Sequence, residues 1–278
     1  KVPLLTSALK AGEYYEPEMI GSEEDFWNQI EKDLRDAAPE LLKKSEYASM
    51  EELGRATKGA AYALLGKAHL YQEDWSNAEQ ALQEVIDLQE YSLASDYYSI
   101  FQEPGEHGPG SIFEIQFMGA GTGAQWNREG NFSTVFSMPR GLWGWGFDAP
   151  TQDFVDAFEE DDPRLEASVI QQGDTIEDEV QIWTKTSTNT DYHQRKDFPA
   201  PSERPASFRD SPVNERIIRL ADVYLMLAEA KCELNKLGEA KDYLNRVRER
   251  AREGNANILP DVTTSNQDDL RQAIYHER

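Results

Sequence analysis

One pattern of side chains occurs twice in this chain, and each copy predicts a pair of closely packed helices. The first copy comprises Leu65, Gly66, His69, Ala78, Leu82 and Val85, and the second comprises Leu227, Ala228, Lys231, Ala240, Leu244 and Val247. Every position of the second copy lies 162 residues after its counterpart in the first. Apolar residues at helical spacing, with small residues where two helices would cross, restrict the chain to a fold in which helices pack on helices.

The spacing within each copy is typical of a tetratricopeptide helix pair, a unit that buries its apolar face against its neighbours. His69 and Lys231 occupy the position at which that pattern usually has an aromatic residue. Gly238 is predicted to lie in the tight connection of the second pair. We therefore expect a mainly α fold in which tetratricopeptide-like helical pairs form a scaffold.

The N-terminal part of this scaffold, residues 1–90, is predicted to contain three helices. Ser22 is the expected N-cap of the first helix, which Pro39 should end or kink. Asp74 is the expected cap of the third. The predicted apolar stripes are Phe26, Ile30, Leu34, Ala37 and Leu41 in the first helix, Ala61, Leu64, Leu65, Ala68 and Tyr71 in the second, and Ala78, Ala81, Leu82 and Val85 in the third.

A different kind of sequence, rich in Gly, Pro, Ser, Thr and aromatic residues, separates the two helix pairs over residues 91–216. "SIFEIQF" alternates as a half-buried strand does. A short helix should be capped by Thr151 and end before Pro163, "ASVIQQGDTI" and "VQIWTKT" indicate a short hairpin, and the segment from Asp191 is mostly irregular. Helical scaffold returns over residues 217–278, so residues 1–278 are interpreted as one domain. Sites commonly lie on such loop-rich insertions.

Charge and cysteine content exclude several classes of function. The chain has 28 basic and 52 acidic residues and a net charge of −24, which argues against nucleic-acid binding and against a polybasic membrane contact. A single cysteine, Cys232, permits no intramolecular disulfide, and its surroundings predict a buried structural thiol. No pair of histidines has the helical spacing of a metal site, and no cofactor is expected.

An ordered set of motifs gives the chain a resemblance to a known family. "VPLLTSAL" and "DLRDAAPELL" precede "GRATKGAAYALLGKAHLYQEDWSNA", and "YSLASDYYSIF" and "SIFEIQF" come next. "GWGFDAPTQDFVDAFEEDDPR" and "QRKDF" follow, before "ERIIRLADVYLMLAEAKCELN", "LNRVRERA" and the final "HER". In this order, across nearly the whole chain, the motifs resemble the SusD/RagB family of nutrient-binding outer-membrane lipoproteins of the Bacteroidetes.

The resemblance implies a non-catalytic protein that binds a glycan at the cell surface and delivers it to a SusC-like TonB-dependent transporter in the outer membrane. Family members carry a signal peptide, a lipidated cysteine and a first helical region before the equivalent of Lys1. They continue beyond the equivalent of Arg278 through a further helix. The chain is therefore expected to be truncated at both ends, and the only membrane contact of the full-length protein to be its lipid anchor.

Glycan binding requires flat aromatic faces for sugar C–H groups and planar polar groups for hydroxyls. Trp126, Asn127 and Arg128, in a glycine-rich loop after the predicted strand, are candidates, with packing of Trp126 onto the helices as the alternative. Asp191, Tyr192 and Arg195 form a second candidate group in a polar loop. Trp183 is predicted to belong to the core, and Trp27 and Trp75 to pack on the helices that carry them.

The stretch "RGLWGWGFDAP" contains two further tryptophans with different predicted roles. Gly144 and Gly146 suit unusual backbone angles, and "GWG" belongs to the part of the motif shared with the family, so Trp145 is predicted to shape the fold. Trp143 lies outside that element and remains a ligand candidate. The glycan itself is not predictable from these residues.

Other stretches of the sequence point to alternative functions. "GAGTGA" lacks the spacing of a dinucleotide-binding loop and is not interpreted as one. The acidic run Glu159–Arg164 could supply a pair of carboxylates for glycoside hydrolysis or a calcium site, but a solvated helix end is favoured, with no metal and no catalytic residue expected. A scaffold that binds proteins through its helical repeats, without a glycan, is the main alternative. Burial of all of Trp126, Trp143, Trp145 and Tyr192 would favour it.

Overall fold

The structure is a computed structural model that describes residues 3–12, 22–49, 52–118, 130–140, 144–176, 179–180 (backbone only), 190–196, 198 and 211–278. Its α-helices are α1 (Glu23–Glu40), α2 (Lys58–Tyr71), α3 (Trp75–Asp87), α4 (Ser133–Ser137), α5 (Gln152–Asp156), α6 (Pro163–Ser168), α7 (Leu220–Glu233), α8 (Leu237–Ala251) and α9 (Gln267–Glu277). Its strands are β1 (Ser111–Ile115), β2 (Val169–Gln171), β3 (Thr175–Ile176), β4 (Glu179–Val180), β5 (Tyr192–Gln194) and β6 (Glu215–Arg219). The mainly α prediction is confirmed.

The two predicted helix pairs are α2–α3 and α7–α8, and all twelve pattern positions are buried. Leu82 and Leu244, at equivalent positions, are both 0% exposed. The pairs pack on each other through α3 and α7, and α7 contributes to two core clusters, one shared with α2 and α3 and the other with α8 and α9. The repeated sequence pattern therefore marks the residues that hold the scaffold together.

Close approach of the first pair depends on Gly66, because a Cβ at this position would lie 2.4 Å from Cγ of Leu82. The turns between the paired helices contain Glu73 and Asn235, at equivalent positions and both with positive φ, 57° and 58°. Gly238 was predicted to lie in the connection between the helices, but it lies in the first turn of α8. Asn235 supplies the left-handed residue instead, since asparagine tolerates this conformation better than most side chains.

Buried polar groups account for the two departures from the tetratricopeptide pattern. His69 Nδ1 lies 3.3 Å from a carboxylate oxygen of Asp74. Lys231 Nζ lies 2.7 Å from Glu79 and 2.6 Å from Glu239. At equivalent positions in the two pairs, a buried polar side chain therefore lies close to acidic groups, and Lys231 also lies over the Tyr243 ring, 5.8 Å from its centroid.

The predicted caps are confirmed, whereas the predicted stripes of α1 and α2 are partly wrong. The N–H of Ser22 bonds to Asp25 at the start of α1, and α1 ends one residue after Pro39. Ile30 of α1 is 40% exposed, and Leu64 and Tyr71 of α2 are 45% and 62% exposed. Because α2 packs against α1 on one side and α3 on another, small residues fill its buried sides and the remaining side faces solvent.

The insertion is joined at its base by strands. β1, at the position predicted for a strand, pairs antiparallel with β6, which runs directly into α7. The N–H of Leu220 bonds to the carbonyl of Gly110 at 2.9 Å. The β1–β6 pair therefore fixes Ser111–Ile115 to the end of the insertion, next to the start of α7.

A small core of four residues, Met138, Ile170, Ile176 and Phe198, lies within the insertion. β2 pairs with β5, and β3 pairs with β4. The pairing of Thr175 with Val180 joins the two segments of the predicted hairpin, and the rest of its second segment, residues 181–186, lies outside the described residues. β2 instead takes its partner from the segment predicted to be irregular. Thr151 caps α5 as predicted, and a new helix, α6, begins at Pro163. Among the described residues, no helix is both long and apolar enough to cross a membrane.

Candidate functional site

Three aromatic rings of the insertion form a cluster at its surface, which we call the aromatic cluster: Phe136, Trp145 and Phe147. The Trp145 ring centroid lies 5.0 Å from Phe136 and 6.2 Å from Phe147, both in edge-on geometry. Phe136 is 37% exposed and Phe147 47% exposed, whereas Trp145 is half-buried between them. Edge-on packing stabilises the rings against one another and leaves apolar area facing solvent.

The backbone of "GWGF" fixes these rings against α4. The N–H of Trp145 bonds to the carbonyl of Val135 at 2.8 Å, and that of Phe147 to the carbonyl of Phe136, also at 2.8 Å. Gly144 approaches the chain so closely that a Cβ would lie 1.9 Å from the carbonyl oxygen of Met138, and Gly146 has φ 67°. The predicted unusual backbone angle is therefore found at Gly146, whereas Gly144 is required because the Met138 backbone leaves no space for a side chain.

A group of polar side chains, which we call the polar edge, lies in the same insertion: Gln152, Asp191 and Tyr192, the last of these on β5. The Tyr192 hydroxyl bonds to Oε1 of Gln152 at 2.8 Å, and Asp191 is exposed beside it. The sequence predicted a flexible loop for Tyr192, whereas the structure places it on a strand paired with β2. The alternation of β5 turns His193 inward, where it is fully buried, and leaves Tyr192 half-buried.

His193 connects the polar edge to α4, which carries part of the aromatic cluster. Its Nδ1 lies 3.3 Å from the carbonyl oxygen of Ser137, and burial lowers the pKa of the imidazole. A neutral imidazole packed beneath β5 holds the strand against α4 without placing a charge in the core.

Arg195, the third residue of the second predicted group, is directed away from the polar edge. Its guanidinium stacks over the Tyr98 ring, 4.8 Å from the centroid, in cation–π geometry. The structure therefore brings Tyr192 together with Gln152, with Asp191 next to Tyr192 in the chain, and it places Arg195 against another segment of the insertion.

The acidic run Glu159–Arg164 is engaged in structural interactions. Glu159 pairs with Arg248 at 2.6 Å, and Asp162 caps α6 and pairs with Arg164 at 2.8 Å. Asp162 is only 7% exposed, so the predicted solvated helix end is wrong at this residue. In the described part of the chain, no group of acidic, histidine or cysteine residues has the geometry of a metal site.

Four predicted ligand residues, Trp126, Asn127, Arg128 and Trp143, lie outside the described residues, as does Trp183. Burial of all of Trp126, Trp143, Trp145 and Tyr192 would favour the protein-binding scaffold. Of these four residues, Trp145 and Tyr192 lie in the described part of the chain, and both are half-buried. Phe136 and Phe147 were not among the residues predicted from the sequence. The signal was present in the i,i+4 spacing of Phe132 and Phe136 and in the phenylalanine that follows "GWG".

The molecule thus belongs to the class of helical-scaffold proteins that carry a loop-rich insertion with an exposed aromatic cluster. The SusD family model matches residues 109–278. The chain belongs to the SusD family.

Individual relatives agree with this assignment. A SusD-like protein of Formosa agariphila is 25% identical over 270 residues, covering 82% of this chain and 47% of its own length. A laminarin-binding SusD-like protein of known structure is 28% identical with a TM-score of 0.79, covering 99% of this chain and 63% of that one. A SusD-like carbohydrate-binding protein of Bacteroides fragilis has the same fold, with a TM-score of 0.84 at 22% identity, covering 99% and 59% of the two chains. The chain spans about half the length of the curated relatives it matches.

Proposed function

We propose that this chain is the glycan-binding part of a non-catalytic surface protein, and that the insertion forms its ligand face. The observation that carries the proposal is the aromatic cluster, in which Phe136 and Phe147 expose apolar ring area on a rigid backbone. Flat ring surface beside planar polar groups suits sugars, which present both C–H faces and hydroxyls. Membership of the SusD family and the similarity to a laminarin-binding relative support it.

The polar half of this face consists of Asp191, Tyr192 and Gln152. The hydrogen bond between Tyr192 and Gln152 orients both groups before a ligand arrives, which reduces the entropy lost on binding. Trp126, Asn127 and Arg128 precede the described cluster in the sequence and Trp143 lies between Phe136 and Trp145; all four are proposed to complete the face. Arg195 is proposed to support the face through Tyr98 instead of touching the glycan.

We further propose that the full-length protein is lipid-anchored at the cell surface and delivers its glycan to a SusC-like TonB-dependent transporter. This role follows from the family alone. Co-purification of the full-length, epitope-tagged protein with its membrane partners tests it. Recovery of a TonB-dependent transporter is expected, and its absence under conditions that recover other outer-membrane complexes would contradict the proposal.

Isothermal titration of the full-length protein against laminarin, starch, xylan and pectin fragments tests glycan binding. Binding to at least one glycan is expected, and replacing Trp143 or Phe147 with Ala should weaken it about tenfold or more, because each ring–sugar contact contributes on the order of 1.5 kcal/mol. Trp75→Ala, on the scaffold, is the matched control and should leave affinity unchanged. The same titrations followed by sugar-release assays should show no hydrolysis. No binding to any member of a broad panel would overturn the proposal.

A protein-binding scaffold is the second candidate, and one observation favours it. Leu64 and Tyr71 of α2 are 45% and 62% exposed on one side of the first helix pair. Cross-linking of the full-length protein, with and without Tyr71→Ala, distinguishes the candidates, since a scaffold function would lose its partner in the variant while glycan affinity stayed constant.

A further inference from the structure

Six basic side chains line one cavity of about 330 Å³ in this strongly acidic chain, between the insertion and the ends of α7, α8 and α9. We call it the cation cavity, and its basic residues are Arg164, Lys196, Arg216, Arg219, Arg250 and Arg278. Tyr97, Leu225 and Val247 contribute to its walls. Because the chain as a whole carries a charge of −24, the concentration of positive charge in one open cavity requires an explanation.

Half of these cations have carboxylate partners. Arg164 pairs with Asp162 at 2.8 Å and also with Glu277. Arg278 pairs with Glu229 at 2.8 Å and Asp222 at 3.2 Å. The Nε of Arg216 lies 3.6 Å from Glu114.

The other three cations, Lys196, Arg219 and Arg250, have no carboxylate within 4 Å among the residues that the structure describes. They lie on aromatic rings: Lys196 Nζ is 4.6 Å from the Phe101 centroid, Arg219 is 5.5 Å from the same ring, and Arg250 is 5.3 Å from Tyr97. Within that described part, Nε of Arg250 is also buried without a hydrogen-bond partner. Unmatched charge and an unused buried donor are both costly.

The local potential is correspondingly positive. Burial, and after it the charge of Arg219, lowers the pKa of Arg250 to about 10. Burial would raise the pKa of the Tyr97 phenol, yet the net shift is downward because Lys196 and Arg219 favour the phenolate. A buried tyrosine whose ionisation is made easier indicates that the cavity attracts negative charge.

We propose that the cation cavity binds the carboxylates of an acidic polypeptide segment. Three cations without carboxylate partners and one unused donor match the charge and acceptor atoms of such a group. The faces of Tyr97 are occupied by Lys196 and Arg250 and its ring is only 8% exposed, so no open aromatic face is available for a sugar.

The inference is tested with this chain and two synthetic peptides of equal length, one an oligoglutamate and the other an oligoglutamine. The oligoglutamate should bind, and its affinity should fall as salt is added. Arg250→Gln should weaken binding about tenfold or more, as expected for loss of one hydrogen bond to a charged group. Arg246→Gln is the matched control, because Arg246 lies on the same helix and also stacks on tyrosines but does not line the cavity.

A second variant and a spectroscopic measurement keep the inference testable if Arg250→Gln fails to fold. Lys196→Met should weaken binding similarly, while Lys241→Met on the outside of α8 should not. Tyrosine-labelled NMR, with Tyr97→Phe to assign the signal, should show the pKa of Tyr97 rising when the peptide saturates the cavity.

Equal affinity for the two peptides, or binding unaffected by Arg250→Gln and Lys196→Met, would overturn the inference. So would tighter binding of oligogalacturonate than of oligoglutamate through Arg250, which would assign the cavity to an acidic glycan. The proposed glycan face is distinct from the cavity. The outcome of its titrations with neutral glycans is therefore independent of the outcome of the peptide-binding experiments.

Discussion

The two helix pairs of the scaffold have the same buried positions but different surroundings. In α2–α3, Leu64 and Tyr71 face solvent, whereas α7 is buried along most of its length and packs against α2, α3, α8 and α9. At equivalent positions, the first pair has Gly66 and the second has Ala228. The comparison teaches that the repeated positions determine how two helices cross, and that the place of a pair in the stack determines which of its other residues are buried.

The largest effect is expected from truncating the equivalent leucines. Leu82→Ala and Leu244→Ala should each lower the free energy of unfolding by about 2–5 kcal/mol, because each side chain is 0% exposed and its removal leaves a cavity. Urea denaturation measures this. Leu64→Ala, 45% exposed on α2, is the control and should cost less than about 1 kcal/mol. A cost for Leu82→Ala no larger than that of the control would break the equivalence of the pairs.

The second prediction compares two helical glycines, for which substitution by alanine should change the free energy of unfolding in opposite directions. Gly66→Ala should destabilise by about 1–3 kcal/mol, since the new methyl group would lie 2.4 Å from Cγ of Leu82 and force the helices apart. Gly238→Ala, which has open space at its Cβ, should stabilise by roughly 0.5–1 kcal/mol, because alanine favours the helix. Thermal unfolding separates the two. Stabilisation by both substitutions would show that α2 and α3 do not need a close crossing.

The third prediction concerns the acidic partners of the two buried polar positions. Burial alone would raise the pKa of Glu79, but bonds from Lys231 and Lys236 make the net shift downward. A carboxyl group with a lowered folded pKa adds stability above its unfolded pKa, about 4.3, and loses it as the pH falls through the folded value. Glu79→Gln should therefore cost about 1 kcal/mol at pH 7, and the cost should diminish below about pH 4.3.

Glu31, beside His69 in the first pair, provides the matched comparison. Its pKa is also lowered against the effect of burial, by Gln72 and Arg35, but Arg35 is 52% exposed, so solvent screens the pair. Glu31→Gln should therefore show the same pH dependence with a smaller cost. An equal cost at both sites, or one that grows on acidification, would contradict this explanation.

The sequence predicted the scaffold well because helix periodicity and small residues act locally. The twelve pattern positions, the caps Ser22, Asp74 and Thr151, and strand β1 all depend on neighbours within a few residues. The pairing of β2 with β5 was missed because it joins segments about twenty residues apart, and strand partners leave no local signal. Phe136 and Phe147 were missed for a related reason, since their clustering with Trp145 depends on the folded backbone.

The smallest effect is expected in the turns, where each pair places a non-glycine residue in the left-handed region. Glutamate adopts this conformation at a cost of about 1 kcal/mol, whereas asparagine tolerates it better. Glu73→Gly should therefore stabilise by roughly 0.5–1 kcal/mol and Asn235→Gly by only about 0.3 kcal/mol, because glycine removes the penalty but adds entropy to the unfolded chain. Glu84→Gly removes the same charge from the last turn of α3 and should destabilise by up to about 1 kcal/mol, so the shift in urea midpoint should have opposite signs for the two glutamates. Destabilisation by Glu73→Gly would mean that contacts of this side chain outweigh the strain of its backbone, and that the two turns are alike in geometry but not in energy.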